Sequence, residues 1–174
     1  MWRIIHNETM LTRLIRLALL LPLLLAVSAR APAAEELQRF PSAVLSIRTH
    51  ASTEWFNVWI ADNTQRQEQG LMYQKWLPAD WGMLFPEDSP RVKSMWMKNT
   101  LIPLDMLFID GSGKIVSIRA NATPESLDII TFPRPVKAVL ELNGGACARS
   151  GIRIGDQVRF ELFGTSPGAP AVAN

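Results

Sequence analysis

The chain has 174 residues, with 18 Lys and Arg against 16 Asp and Glu, a single cysteine (Cys147) and two histidines, of which only His50 lies beyond residue 31. One cysteine permits no internal disulfide, and so few His and Cys residues leave no metal and no cofactor to be expected. Residues 1–31 hold four of the bases and one of the acids; the remainder carries 14 basic and 15 acidic residues, net −1, with no basic run to follow a phosphate backbone, which argues against nucleic acid as a partner.

That division at residue 31 comes from the N-terminus. Arg13 and Arg16 form a positive region, and Leu17 to Val27 (LALLLPLLLAV) is an uncharged apolar core. Small residues from Ser28 to Ala34 follow, among which Ala29-Arg30-Ala31 fits the A-x-A cleavage pattern, and cleavage anywhere between residues 29 and 34 agrees with it. The apolar run has eleven residues, where a spanning helix needs about 20. The reading is a signal peptide over residues 1–31, with export to the periplasm or medium and no membrane attachment after cleavage. A retained signal anchor is the rival. About 140 residues then remain, enough for one core: a linker over 35–43, a domain over 44–163, and a Gly-, Pro- and Ala-rich tail over 164–174 expected to be disordered.

Val44–Arg48 and Glu54–Ile60 read as strands joined by His50–Thr53. In the second, Phe56, Val58 and Ile60 share one face and Trp55, Asn57 and Trp59 the other, which suits a strand covered on both sides or one with a Trp platform. Thr64 and Gln67 have capping-box spacing and Gly70 a C-cap position, so a helix of under two turns is expected there, tied down by Leu71 and Met72. Gly82–Phe85 reads as a buried strand ended by Pro86, with a polar loop over Glu87–Arg91.

The stretch Ser94–Arg119 reads as three antiparallel strands. Asp110–Lys114 is a tight turn with Gly113 in the left-handed position, which pairs Phe108 with Val116, Met106 with Ile118 and Asp105 with Arg119. Pairing Lys98 with Asp105 across the preceding loop sets Met97 against Met106, Trp96 against Leu107 and Met95 against Phe108. An irregular connection from Ala120 to Pro135 follows, with a short strand at Leu127–Ile130, then a strand over Pro135–Leu142. Asn143 is placed to cap a short helix over Gly145–Ser150, and Gln157–Phe163 alternates as a last strand. The fold class is therefore mostly β: a small jelly-roll-like β-sandwich or barrel of short antiparallel strands with two short helices. No helix of ten or more residues alternates with strands, which disfavours a parallel βαβ sheet.

This register leaves a charged row, Lys98, Asp105 and Arg119, at one end of the sheet. With Asn99 and Thr100 it forms the candidate binding site, in which the cations and the amides near Asn99 receive an anion or a sugar hydroxyl and Asp105 orients them. The structural reading of Asp105 is a buried carboxylate satisfied by Lys98 or by the amides of the Asn99–Thr100 turn. No catalytic set is assigned; the enzymatic alternative is a hydrolase of an envelope saccharide or ester using Asp105 with Lys98, Glu141 or Glu68. Met72, Met83, Met95, Met97 and Met106 occupy positions that want apolar filler rather than a soft-metal site, and Trp81 and Trp96 read as core. Cys147, at a helix start that would favour a thiolate, reads more plainly as a small buried residue.

Several strings carry a resemblance: Gly70-Leu71-Met72, Gly82-Met83-Leu84-Phe85, Met95-Trp96-Met97-Lys98-Asn99-Thr100, Ile102-Pro103-Leu104-Asp105-Met106, Gly113-Lys114-Ile115-Val116, Val139-Leu140-Glu141 and Gly155-Asp156. Together they resemble the domain-of-unknown-function family 192 from about Trp55 to Phe163. The resemblance implies a compact, mostly β, jelly-roll-like domain, often exported, and supplies no mechanism. The functional expectation is non-catalytic binding of a small ligand or of an envelope partner, with a purely structural domain as a further alternative.

Overall fold

The computed structural model describes residue 37 and residues 39–168, all within one compact unit spanning Pro32–Asn174. The signal peptide expected over residues 1–31 lies outside the described residues. Strands β1 (Ser42–Arg48) and β2 (Thr53–Ile60) form an antiparallel hairpin, from Ser42 opposite Trp59 to Arg48 opposite Thr53. A short helix, α1 (Thr64–Gln69), then carries the chain over to β3 (Trp81–Arg91), which lies parallel to β2. That one parallel pair departs from the all-antiparallel expectation; the 20-residue crossover from Ala61 to Asp80 needs only a six-residue helix because loops supply the rest of its length.

The small strands β4 (Ser94–Met95) and β7 (Ile130–Thr131) pair with each other in a second sheet. The main sheet continues through β5 (Leu104–Ile109), β6 (Ile115–Ala122), β8 (Val136–Asn143) and β9 (Gln157–Arg159), in the order β6-β5-β8-β3-β2-β1-β9. A one-turn helix, α2 (Ala146–Arg149), follows β8, and a 3-10 turn, Glu161–Phe163, follows β9.

The sheet curls until its two outer strands touch. Lys114 bridges to Gln157, Ile115 N–H donates to Asp156 O at 2.9 Å, and Val158 N–H donates to Gly113 O at 2.8 Å. Closure of this kind removes edge groups from water at that end of the barrel. Side-chain alternation then divides the apolar residues between two cores. All six residues of β5 are buried: Leu107 and Ile109 join Leu45, Ile47, Val58, Leu84 and Leu140 in the interior, while Leu104, Met106 and Phe108 join Met83, Phe85 and Val139 outside it. The outer core is completed by Leu71 beyond α1, by Met95 and Met97, and by Leu37 and Phe40, so the segment expected as a linker packs as part of the domain. It does so because Met83 and Phe85 of β3, Leu104, Met106 and Phe108 of β5 and Val139 of β8 present an apolar outer face that needs a cover.

Other expectations are corrected in detail. The Asp110–Lys114 turn forms, with Asp110 N–H to Lys114 O at 3.0 Å and Gly113 left-handed at φ +85°. A bulge between Phe108 and Ile109, however, shifts the pairing so that Met106 faces Arg119 and Phe108 faces Ser117. The hairpin expected between residues 94–98 and β5 is absent, because β5 takes β8 as its second neighbour and β4 turns to β7. Strand β3 runs through Pro86: β2 stops pairing with it at Leu84, so beyond that point β3 is an edge on one side, where proline is tolerated. Asn63, not Thr64, caps α1, its Oδ1 accepting from Arg66 N–H at 3.0 Å. Of the segment expected as a tail, Pro167 O accepts from Ser46 Oγ at 2.8 Å, and residues 169–174 lie outside the described residues.

The closing bridge identifies a stability test. A Cβ on Gly113 would lie 2.6 Å from Val158 O in addition to its positive φ, whereas one on Gly151, at φ +64°, would meet nothing within 4 Å. Gly113→Ala should therefore cost roughly 2–4 kcal/mol in urea unfolding. Gly151→Ala should cost only the backbone strain, about 1–2 kcal/mol.

Candidate functional site

Asp105 lies on the interior face of β5 and is fully buried. Its carboxylate accepts three main-chain N–H groups: Asn121 at 2.8 Å, Gly145 at 3.0 Å and Cys147 at 2.9 Å. These are groups that local structure leaves over. Helix α2 has only left-handed Gly145 at its start and no side-chain cap of its own, and Asn121 sits at φ +48° in β6. Asn143, expected to cap α2, instead donates to the carbonyls of Leu77 and Pro78 at 3.0 and 2.8 Å. Asp105 thus caps α2 from a strand 40 residues away, and the amides that satisfy it are not those of the Asn99–Thr100 turn.

The charged row is not assembled. Arg119 is exposed opposite Met106, and Lys98 is exposed with its ammonium 5.1 Å from the ring centroid of Trp96. Trp96, expected in the core, is 46 % exposed because β4 does not fold against β5. Glu141 sits on β8 opposite Met106 and Met83, while Asp105 is opposite Leu142. Successive residues face opposite ways, so Asp105 and Glu141 lie on opposite faces of the sheet and cannot act on one substrate. Cys147 is buried, and burial, reinforced by the neighbouring Asp105 carboxylate, pushes its thiol up to about 12. It stays protonated, contrary to the thiolate reading of a helix start.

Lys98 and Thr100 do come together with Glu141, in a cleft of about 210 Å³ between the end of α1 and the segment Lys93–Thr100. Met72, Phe85 and Met95 supply apolar wall, and Glu68 of α1 and Trp96 stand at it from exposed positions. Asn99 does not line the cleft: at φ +56° it donates through Nδ2 to Tyr73 Oη at 2.9 Å and accepts Tyr73 N–H on its carbonyl at 2.8 Å. Lys93, only 7 % exposed, donates to Gln67 Oε1 at 2.7 Å and pairs with Glu87, which also holds Arg91 at 2.6 Å. Gln67 in turn donates to Pro86 O at 3.0 Å, so a polar network fixes α1 to β3 along one wall.

Glu141 differs from these groups. It is 4 % exposed, and its carboxyl forms no hydrogen bond or ion pair among the described residues. Every fully enclosed side-chain N or O among those residues has a partner, so the unpartnered Glu141 oxygens must reach the open space of the cleft. Burial pushes its carboxyl up to about 8, leaving it mostly protonated at neutral pH. No group of three His, Cys, Asp or Glu among the described residues is arranged to hold a metal ion.

Sequence reasoning named Lys98, Asn99, Thr100 and Glu141 but not Lys93, Gln67 and Glu87, whose meeting depends on β3 continuing past Pro86. The signal for Glu141 is an acid flanked by apolar residues, Ala138-Val139-Leu140 before it and Leu142 after it.

The chain matches the family DUF192, described as an uncharacterised ACR, over residues 45–160. Solved structures that are similar include two from bacteria. One, from Sinorhizobium meliloti 1021 and described as a "putative transcription regulator", is 40 % identical, with 71 % of this chain and 96 % of that chain covered and a TM-score of 0.69. The other, a protein of unknown function from Novosphingobium aromaticivorans DSM 12444, is 34 % identical, with 68 % and 85 % covered and a TM-score of 0.67. No curated protein matches the sequence.

Two measurements separate the buried carboxyls. Asp105→Ala leaves three amides unsatisfied and should cost about 3 kcal/mol or more in urea unfolding, whereas Lys98→Ala should stay within about 1 kcal/mol. For Glu141, the folded value of about 8 stands above the ordinary 4.5, so between these pH values the folded chain binds more protons than the unfolded. Its contribution is therefore fully present below pH 4.5 and is lost as pH rises toward 8. Relative to Glu141→Gln, the wild type should lose up to about 1.4 kcal/mol per pH unit across that window, read from unfolding at pH 5, 6.5 and 8.

Proposed function

The chain belongs to the DUF192 family, and we propose that it acts without catalysis, as a binding domain for a small ligand held in the cleft beneath α1. The observation that carries this reading is the buried Glu141 carboxyl, without a protein partner, on the floor of a cleft whose wall includes Met72, Phe85 and Met95. Its oxygens reach the open cleft with no protein partner, so a ligand there can supply one. Binding without turnover is favoured over hydrolysis because the second carboxylate of a catalytic pair, Asp105, lies across the sheet.

The proposed setting is the periplasm or the medium, supported by the positive, apolar and small-residue segments up to Ala34. Among the described residues no helix is long and apolar enough to cross a membrane. Regulation of transcription, the words attached to the Sinorhizobium protein, receives no support from the six- and four-residue α-helices among the described residues or from a net charge of −1 after residue 31. An envelope protein is the second partner class, favoured by Trp76, Leu127 and Ile129, exposed at 71, 67 and 63 %.

A thermal-shift screen of the purified protein against small polar and amphipathic compounds tests the reading. A true ligand at 100 times its Kd should stabilise the fold by about 2.7 kcal/mol. The gain should vanish in Glu141→Leu and survive in Arg119→Ala. Hits that ignore Glu141, or a screen with none, would move the function to the exposed apolar surface and a protein partner.

A further inference from the structure

Resting on the reading of the cleft as a ligand site, we propose that its ligand is a small monocarboxylate, its carboxylate accepting from the Glu141 carboxyl and facing the Lys98 ammonium, its short apolar body against Met72, Phe85 and Met95. An unpartnered carboxyl on a cleft floor is completed either by a donor, if it is ionised, or by an acceptor, if it holds its proton. The surrounding groups decide between the two.

Four elements face Glu141. Strands β3 and β5 present Met83 and Met106 across the ladder, neither of them ionisable. From β3 and the segment after it come Lys93 and Glu87, which are paired with each other, Glu87 holding Arg91 as well. Helix α1 contributes Glu68, which is exposed to water, and the segment after β4 contributes Lys98, which has no carboxylate partner among the described residues. Close to the floor, then, no cation is placed to hold Glu141 as a carboxylate, and burial keeps its proton on. A protonated carboxyl offers an O–H, and the strong acceptor for an O–H is a carboxylate oxygen. The free ammonium of Lys98 meets the charge such a ligand brings.

Size and wall chemistry set the rest. A cleft of about 210 Å³ holds the equivalent of about seven waters, each taking ~30 Å³, so the ligand has on the order of ten non-hydrogen atoms. Two thioethers and a phenyl ring in the wall suit an aliphatic or aryl body.

The test uses butyrate, hexanoate and benzoate, with butylamine, benzylamine and benzyl alcohol as counter-probes, titrated by calorimetry into the purified protein between pH 6 and 9.5. The carboxylates should bind at pH 6, and their affinity should fall by up to tenfold per pH unit above about 8, as Glu141 loses its proton. Glu141→Gln keeps a donor and should bind them with that pH dependence flattened; Lys98→Ala should weaken them roughly tenfold and leave the pH profile in place. Unfolding midpoints of both variants confirm that each is folded. Amines that bind more tightly as pH rises, or benzyl alcohol bound as well as benzoate, would overturn the carboxylate assignment, and if their binding still required Glu141 the cleft would stand as a ligand site. Carboxylate binding unchanged in Glu141→Leu, or no binding by any probe, would overturn both.

Discussion

Three main-chain amides from three separate places in the chain, at the end of β6, at the turn after β8 and in the first turn of α2, end on one carboxylate. Asp105 holds them from near the start of a strand buried on both faces. A charged acceptor suits this task because each of its hydrogen bonds is charge-assisted and because two oxygens can serve three donors pointing from different directions. Once these amides are fixed, Gly144 and Gly145 can pass close to Pro103 and Asn121, and β8 enters the sheet in the register that sets Leu140 and Leu142 inward. That same register sets Glu141 outward. One buried acid therefore determines where the other is aimed.

The two carboxyls also illustrate different ways of placing an acid in an apolar setting. Asp105 is surrounded by donors and contributes to the fold; Glu141 has none and is held only by the strand it belongs to. The neighbouring Lys93 network shows that this chain can neutralise a buried charge when structure alone is at stake, since Lys93 is matched by Glu87 and Gln67. An unmatched group beside a matched network is the pattern expected where local stability is given up for recognition.

The alternation of Phe56, Val58 and Ile60 and of residues 136–142 was sufficient to locate the strands, and the tight turn at Asp110–Lys114 was legible from Gly113 and Asp110 alone. Partners were not. Leu107 would have matched Trp96 as well, by apolarity, as it matches Leu140, and nothing local distinguishes a hairpin to residues 94–98 from a ladder to a strand 30 residues later. The charged row was an artefact of that choice, since it required Asp105 and Arg119 to be opposite, and a single bulge at Phe108–Ile109 displaced them. Lys98 and Thr100 line one cleft because a short loop keeps its residues together wherever the flanking strands go.

The closing of the sheet has a consequence for when the chain can fold. Strand β1 lies between β2, its neighbour in sequence, and β9, more than 100 residues later, and the bridge from Lys114 to Gln157 completes the ring. The interior cannot be sealed until the residues around Val158 are in hand, so local hairpins form early and the barrel late. For the export proposed above, such delayed closure would be an advantage: a chain threading outward from its N-terminus would lack its final staves until nearly all of it had crossed.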